Sequence, residues 1–412
     1  MQKSINNCRV LFLVQQYMPN PKSCELCVMR VQEALLNLGI KSDVLEVVGD
    51  KGLIQRTMYG EVHSIGRAKP ILNTTRRNIF NKIIYKASVI FTWPITMKKK
   101  SRKELKKYID FLDSKYTYAA IIGVTLPVDA PIVGAEYDKF ILYELDAVAN
   151  NPEYKRGFKK LYKFRLSNIE KYLYDHAKLI IHMKYNERYL EKYKNINTVT
   201  SKSVYADIPN LVKSGFIESE SSYGEKVLFA YFGGLVKDYR NPEYLITVVN
   251  EINKQIPIEC DFFSRGNCED ILEKAHNNAP GVIKKKGYVD KNKVLEMQNK
   301  ADVLVSIGNR LTGTDYSLPS KIIDYIATGK PILHISGGSN DSAISYLERY
   351  ELACIIDPND VLDENVRKVI AFVKKNKGRV IPFDKIFKEF YHNSPDYTAR
   401  IIKDFIQRSR GW

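Results

Sequence analysis

The chain has 412 residues, of which 44% are hydrophobic and 27% are charged. This composition is that of a globular protein without low-complexity tracts, and the length exceeds what one hydrophobic core usually supports, so we expect two domains. The apolar runs, such as Val303–Ile307, are strand-sized, and none approaches the roughly 20 residues of a membrane span. The N-terminal apolar run is too short for a signal peptide, so we expect a cytoplasmic protein.

Positive charge is concentrated in the first half of the chain. The formal net charge is +17, and residues 1–210 hold 35 Lys and Arg against 20 Asp and Glu, which leaves +15. Residues 211–412 hold the remaining 29 against 27, which leaves +2. A one-sided excess favours an anionic partner for the first half, such as membrane phosphates, nucleic acid or a charged substrate.

The first half begins as a strand–helix–strand unit. Cys8–Val14 and Lys41–Val48 are predicted strands, and Val28–Leu38 is a predicted helix between them. This pattern is typical of a parallel α/β domain, in which ligands lie beyond the carboxyl ends of the strands. The loop Gln15–Ser23 is at such an end, but it lacks the G-x-G-x-x-G fingerprint of dinucleotide binding.

The most basic segment covers residues 73–115 and carries the aromatic residues Trp93 and Tyr108. Its clustered cations are Lys98, Lys99, Lys100, Arg102, Lys103, Lys106 and Lys107. A basic helix with aromatic neighbours can lie on an anionic membrane surface, and a solvated helix face is the alternative. No recognised nucleic-acid-binding module is present, so we expect no nucleic-acid partner.

Two features of the first half could bind a metal, and neither has a complete set of ligands. Cys24 and Cys27 form a C-x-x-C pair without a second pair at a suitable spacing, so a structural role is favoured. Glu144 and Asp146 superficially resemble a D-x-D pair on one face of a strand, but no third carboxylate is evident. Asp146 follows the predicted strand Phe140–Leu145 directly and is therefore a candidate functional residue.

A polar segment rich in Pro, Gly and Ser, residues 207–224, separates the two halves and is the predicted linker. We therefore expect domains at 1–210 and 211–384. An amphipathic helix within about 385–412 is expected to pack back on the first domain, because chain termini often lie close together.

The second half restarts the α/β pattern with a glycine pair after its first strand. Lys226–Phe232 runs into Gly233 and Gly234, and the following loop carries Lys237 and Arg240. Small residues after a strand let a phosphate approach the backbone, and arginine can hold it with two hydrogen bonds. A glycine turn beside two solvated basic residues is the equally simple alternative.

Later strands place more polar residues at their carboxyl ends. Pro257–Phe263 leads to Arg265, and Ala301–Ile307 leads to Asn309. If these strands are parallel, both side chains lie at the edge of the sheet that carries the glycine pair.

The segment from Ser317 to Ser336, SLPSKIIDYIATGKPILHIS, has the pattern of a loop, a short helix and a buried strand. Pro319 suits the first helical position, and Ser320 and Lys321 then lie in the first turn with unpaired N–H groups. Such a helix start can bind an anion, and Asp324, just over one turn further on, can contact a group attached to that anion. An ordinary αβ unit has the same pattern, so both interpretations stay open on the residues alone.

Three segments of the second half, within a region of about 110 residues, resemble nucleotide-sugar glycosyltransferases of family 4. The matching stretches are VLFAYFGGLVKDYRNPEYL, KKGYVDKNKVLEMQNKADVLVSIGN and SLPSKIIDYIATGKPILHI, in that order. The resemblance implies a GT-B fold, with two Rossmann-like α/β domains facing each other across a cleft. It also implies retaining sugar transfer, of the hexosyltransferase type, from a UDP- or GDP-sugar to a glycan or lipid-linked acceptor.

The same resemblance assigns roles to residues of the two predicted domains. The diphosphate is expected to contact the glycine-rich loop, its basic residues and the late helix start, and the ribose is expected to contact Asp324. Asp146 is the expected first-domain residue near the sugar or acceptor. The implied diphosphate contacts are Gly233, Gly234, Lys237, Arg240, Ser320 and Lys321, with Arg265 as a further donor-binding residue.

The sequence departs from the family pattern where the donor sugar should bind. Members often carry two glutamates with seven residues between them, but here the two positions are occupied by Tyr316 and Asp324. Two alternatives stay open for the sugar contact: the neighbouring Asp315 substitutes at the first position, or Asn309 and the backbone of residues 313–314 contact the sugar. The resemblance implies no cofactor and no metal, because fixed cations can stabilise the leaving diphosphate.

Two other functions stay open on the sequence alone. A GT-B epimerase would convert a nucleotide-sugar without an acceptor, and a degenerate member would bind nucleotide-sugar or membrane without turnover. We expect the transferase to assemble a bacterial surface polysaccharide, as a peripheral protein at the inner face of the cell membrane.

Overall fold

The computed structural model divides the chain into two compact units. The first unit comprises Met1–Asn210 and His392–Trp412, and the second comprises Leu211–Tyr391. The structure describes residues 8–17, 23–48, 51–66, 97, 99–125, 128–147, 149, 159–213, 226–310, 318–319, 321–339 and 341–409. Trp93, Lys98, Asp315, Tyr316 and Ser320, all named above, lie outside these ranges, as do residues 313–314.

The strands are short, apolar and mostly buried on both faces, as continuous Val-, Ile- and Leu-rich runs predict. They are β1 (Arg9–Val14), β2 (Lys41–Glu46), β3 (Ile54–Arg56), β4 (Glu61–Ser64), β5 (Ala120–Val124), β6 (Phe140–Glu144), β7 (Leu179–Met183), β8 (Ser203–Ala206), β9 (Val227–Leu235), β10 (Ile258–Gly266), β11 (Ile283–Lys285), β12 (Val303–Ile307), β13 (Ile332–Ile335) and β14 (Ala353–Ile356).

Helices alternate with these strands and bury one apolar face each, as their periodic apolar residues predict. They are α1 (Ser23–Asn37), α2 (Lys99–Tyr116), α3 (Asp129–Gly134), α4 (Lys159–His176), α5 (Glu187–Leu190), α6 (Asn197–Thr200), α7 (Glu243–Asn253), α8 (Glu269–Asn278), α9 (Lys291–Lys300), α10 (Lys321–Ala327), α11 (Ile344–Leu347), α12 (Leu362–Asn376), α13 (Phe383–Glu389) and α14 (Pro395–Ser409).

The first unit is built on one sheet, in which the described strands follow the order β3-β4-β2-β1-β5-β6-β7-β8. All neighbours are parallel except the edge pair β3 and β4. The C-terminal helix α14 belongs to this unit and packs against α1. Thr398, Ala399 and Ile402 are fully buried on α14. The chain changes units after α13, so residues 385–391 belong to the second unit.

One predicted strand of the first unit is shorter than its apolar pattern suggested. The β-branched residues within 197–204, NTVTSKSV, favour a strand by their propensity, but Asn197–Thr200 is helical and β8 begins only at Ser203. The helical turn closes through hydrogen bonds from the Val199 and Thr200 amides to the Ile196 carbonyl. It also buries Val199 in the core, so packing overrides the strand propensity of Val and Thr.

The second unit has a six-stranded parallel sheet in the order β11-β10-β9-β12-β13-β14. This is the doubly wound order 3-2-1-4-5-6, whose direction of winding reverses between β9 and β12. The apolar core on one face includes Phe229, Phe262 and Val305, packed under α7 and α12 residues such as Val248 and Val369. The carboxyl ends of β9 and β12 are therefore the expected ligand edge of this unit.

No disulfide joins the cysteines, all six of which lie in described positions. Cys24 and Cys27 both lie on α1, and the Cys27 thiol donates a hydrogen bond to Asn210 Oδ1 at 3.8 Å. None of the helices in the described part of the chain combines the length and apolar composition that crossing a membrane requires.

Candidate functional site

The glycine pair lies inside strand β9, at the point where the sheet reverses its winding. Gly233 and Gly234 were predicted to follow the strand, but β9 continues to Leu235 and pairs Gly234 with Arg265 of β10. Gly233 has φ of 129°, a conformation that side-chain-bearing residues rarely adopt. A Cβ atom there would lie 3.7 Å from Lys321 Nζ, so the backbone of β9 passes close to this cation.

Arg240 is held at the same edge by a neutral partner. Its Nε and Nη2 atoms donate to Asn309 Oδ1 at 3.1 and 2.6 Å, and Nη1 donates to the Gly234 carbonyl at 3.4 Å. Asn309 follows β12, so this contact joins the ends of the two strands that flank the reversal. The structure thus brings together three predicted site residues, Gly234, Arg240 and Asn309, of which the first and last are 75 positions apart in the sequence.

Lys321 supplies a second cation beside Arg240. Its Nζ lies 4.2 Å from the centroid of the Tyr231 ring and 3.4 Å from the Phe232 carbonyl oxygen. Burial lowers the pKa of Lys321 well below its ordinary value, and the positive charge of Arg240 lowers it further. Within the described part of the chain, neither Arg240 nor Lys321 forms an ion pair with a carboxylate.

Two tyrosines that sequence reasoning missed support the two cations. The Tyr231 hydroxyl donates to the Gly234 carbonyl at 2.9 Å and is hydrogen-bonded to the Arg240 side chain. The Tyr325 hydroxyl accepts the Phe232 amide at 3.2 Å and so fixes the end of β9. Both tyrosines lie in apolar runs of the sequence, where a buried core position is the ordinary expectation.

The late helix predicted from the sequence is α10, which the structure describes from Lys321 to Ala327. It begins at Lys321, and the amide of Ile322 donates to the Pro319 carbonyl at 2.9 Å. Asp324 lies in its first turn and is half-buried. Ser320 is not among the described residues, so its predicted phosphate contact stays a prediction.

Lys237 and Arg265 lie at the same edge but are oriented by other partners. Lys237 Nζ is 2.6 Å from Asp270 Oδ2, and both side chains are exposed. The Arg265 guanidinium lies 5.0 Å from the centroid of the Tyr288 ring, which is itself exposed. Both roles predicted for these cations stay predictions.

In the first unit, Asp146 lies just beyond β6. The Tyr185 hydroxyl donates to Asp146 Oδ1 at 3.2 Å and to the Leu145 carbonyl, and the Thr125 hydroxyl donates to the Asp146 carbonyl at 3.3 Å. Burial raises the pKa of Asp146 from 3.8 to about 6, although the Tyr185 hydrogen bond opposes this shift. The carboxyl group therefore titrates close to neutral pH.

Glu144, which with Asp146 forms the D-x-D-like pair of the sequence, is hydrogen-bonded by neighbouring side chains. Tyr174 donates to its two oxygens at 2.8 and 2.9 Å, and His182 Nδ1 lies 2.7 Å from Oε2. Within the described ranges, no group of three or more His, Cys, Asp and Glu side chains is placed to hold a metal ion.

The chain is similar to known proteins in structure only. A scan against protein-family models and a search of curated protein sequences both found no match. A sucrose-phosphate synthase from Thermosynechococcus elongatus matches with a TM-score of 0.58 at 10% identity, over 98% of both chains. WaaG, a glycosyltransferase involved in lipopolysaccharide biosynthesis, matches with a TM-score of 0.57 at 11% identity, over 95% of this chain and 99% of that chain.

A third similar structure contains a nucleotide. HepE from Anabaena in complex with UDP matches with a TM-score of 0.53 at 12% identity, over 98% of both chains. The class of fold is thus a pair of Rossmann-like α/β units. More narrowly, the chain has the GT-B glycosyltransferase fold, which confirms the fold predicted from the sequence.

Asp146→Asn should remove a pH-dependent destabilisation of the first unit. Because the folded protein holds this proton more tightly than the unfolded chain, wild-type stability is lost as pH rises from about 4 to above 6. The variant should therefore be more stable at pH 8, by up to about 3 kcal/mol for a shift of roughly two pKa units, and similar at pH 4. Urea unfolding across this range measures the difference. Asp404→Asn, at an exposed position on α14, is the control, and an unchanged pH profile for Asp146→Asn would contradict the assignment.

Proposed function

We propose that the protein is a retaining glycosyltransferase that moves a sugar from a nucleoside-diphosphate sugar to a glycan or lipid-linked acceptor. The observation that carries the proposal is the pair of cations, Arg240 and Lys321, at the point where the sheet of the second unit reverses. Such a pair without a described carboxylate suits a diphosphate, because a bound anion stabilises two half-buried like charges. The GT-B fold and the UDP in the HepE structure support a nucleotide-sugar donor.

The chemistry follows from where charge develops. As the bond between the anomeric carbon and the phosphate oxygen breaks, its electron pair goes to the diphosphate and the sugar becomes oxocarbenium-like. Arg240 and Lys321 would stabilise the departing diphosphate, so no metal and no cofactor is required. In retaining transfer the acceptor oxygen attacks the face that the diphosphate leaves, and the departing phosphate takes the acceptor proton.

Residues that position donor and acceptor complete the proposal. Gly233 and Gly234 let the diphosphate approach the backbone, and Asp324 is placed one turn into α10 to receive ribose hydroxyls. Asp146 is the residue of the first unit that we propose for contact with a sugar hydroxyl. With a pKa of about 6, Asp146 is suited to hydrogen bonding with a sugar hydroxyl in either protonation state.

The basic helix α2 supports a lipid-linked acceptor at a membrane surface. It buries Leu105, Ile109 and Leu112, and its opposite face exposes lysines together with Phe111, which is 57% exposed. The exposed lysines of this face are Lys99, Lys100, Lys103 and Lys107. Cations around an exposed aromatic ring match an anionic bilayer, so we place the protein at the inner face of a bacterial membrane, in surface polysaccharide synthesis.

Arg240→Gln should weaken UDP or GDP binding about 10- to 100-fold, because it removes a charged hydrogen-bond donor to phosphate. Lys237→Gln should weaken binding less, because Lys237 is exposed and paired with Asp270. Calorimetric titration of both nucleotides measures the constants, and transfer from the matching nucleotide-sugar is followed by product analysis. Lys254→Gln, at an exposed lysine directly after α7, is the charge-matched control. Unchanged nucleotide affinity in folded Arg240→Gln would refute the proposed site, and binding without any transfer would indicate a non-catalytic member.

Nucleotide binding should take up a proton at Lys321. Without ligand, burial and the nearby charge of Arg240 lower the pKa of Lys321, whereas a bound diphosphate raises it. Affinity should therefore fall as pH rises above about 7.5, where the nucleotide phosphates are already fully ionised. Calorimetry in buffers of different ionisation enthalpy counts the proton. Lys321→Gln should bind more weakly and without this uptake, and an uptake equal to that of the wild type would exclude Lys321 as its source.

Replacing Lys99, Lys103 and Lys107 by Gln should weaken membrane binding. Each lysine near an anionic surface contributes about 1 kcal/mol, so partition of the triple variant onto vesicles should fall on the order of 100-fold. Co-sedimentation with phosphatidylcholine vesicles, with and without phosphatidylglycerol, measures it. The matched control replaces three exposed lysines of the second unit, Lys254, Lys274 and Lys388. An equal loss in both triple variants would show that net charge, not α2, determines binding.

A further inference from the structure

The loops that follow β12 and β13 are packed backbone against backbone beside Asn309. A Cβ atom on Gly308 would lie 1.9 Å from Asp341 Oδ2, and a Cβ atom on Gly337 would lie 2.3 Å from the Asn309 carbonyl oxygen. The Gly308 amide also donates to the Ile335 carbonyl at 2.8 Å. Only residues without a side chain allow this approach, so the position of Asn309 is coupled to the loop after β13.

Asp341 fixes that loop through both of its carboxylate oxygens. Oδ2 lies 2.9 Å from His334 Nε2 and accepts the Gly337 amide at 2.8 Å. Oδ1 accepts the Ala343 amide at 3.0 Å. Burial raises the pKa of Asp341, but these hydrogen bonds outweigh it and hold the pKa below its ordinary value. The group is therefore an anion at neutral pH.

His334 places this carboxylate from within the sheet. It lies on β13, is fully buried, and has Asp341 as the hydrogen-bond partner of its Nε2 atom. The other ring nitrogen, Nδ1, is buried without a hydrogen-bond partner. A buried nitrogen without a hydrogen bond lowers the stability of the fold. The hydrogen bond from His334 to Asp341 therefore has to offset this loss or contribute to function.

We propose that Asp341, held by His334, is a positioning residue for nucleotide binding that acts through Asn309 on Arg240. Asp341 holds Gly308 and Gly337 in register, the backbone of Asn309 follows, and Asn309 Oδ1 receives two donors of the Arg240 guanidinium. The inference rests on the proposed function, because it concerns the same phosphate site.

Asp341→Asn should weaken UDP or GDP binding about tenfold, since an amide cannot accept from all three of these donors. If Asp341 had a purely structural role, its replacement would lower the stability of the protein, and its effect on nucleotide affinity would be the same with and without Arg240. The decisive measurement is a double-mutant cycle: in the Arg240→Gln background, Asp341→Asn should change the nucleotide affinity less than twofold. Asp357→Asn is the matched control, because Asp357 also accepts a loop amide, that of Asn359 at 2.8 Å, beyond the more distant strand β14.

A pair of variants at His334 tests the same inference if Asp341→Asn does not fold. His334→Gln keeps an N–H donor for Asp341 and should bind nucleotide within about twofold of the wild type. His334→Leu removes the donor and should lose about tenfold. Wild-type affinity in Asp341→Asn or His334→Leu, or additive losses in the cycle, would overturn the inference alone. A wild-type protein that binds neither nucleotide would overturn the proposed function and this inference together.

Discussion

The second unit depends on a cation that is oriented without being neutralised. Arg240 donates two hydrogen bonds to the amide oxygen of Asn309, so its guanidinium is fixed in direction while its charge is retained. A carboxylate at the same place would orient it equally well, but it would also compete with any anionic ligand. The neutral partner therefore leaves the positive charge of Arg240 able to bind an anion. The same uncompensated charge destabilises the protein when no anion is bound.

Lys321 is a second basic group beside Arg240, and it contacts the aromatic residues of the site. Its ammonium lies against the face of Tyr231, whose ring offers a weak attraction to a cation in place of an ion pair. Tyr325 and the glycine pair then hold the end of β9 close to both cations. Like charges kept together by packing are a form of preorganisation, because the ligand meets its partners already in place.

The buried polar groups of the first unit are arranged in the opposite way. Glu144 is surrounded by donors from Tyr174 and His182, and Glu170 accepts from Tyr189, Tyr193 and Lys192. Such satisfied networks stabilise a particular packing and leave little capacity for a ligand. Asp146 differs, because it has one described side-chain donor and a pKa raised by burial. It is therefore the better candidate for contact with a substrate.

The sequence by itself determined the class of fold, and it named several residues that the structure brings to one edge of the second sheet. Short apolar runs alternating with amphipathic segments require parallel strands covered by helices, and glycines and polar residues after those strands must gather at one edge of a sheet. Gly233, Gly234, Arg240 and Asn309 were named from their positions after strands, and Lys321 was named from its position at a helix start, since both are local properties. The tertiary structure alone decided their partners. Arg240 and Asn309 are 69 residues apart, and nothing in either segment specifies their contact. Tyr231, Tyr325, His334 and Asp341 looked like core or loop residues, because their roles arise from side-chain geometry where separate strands end, and local periodicity carries no information about that geometry.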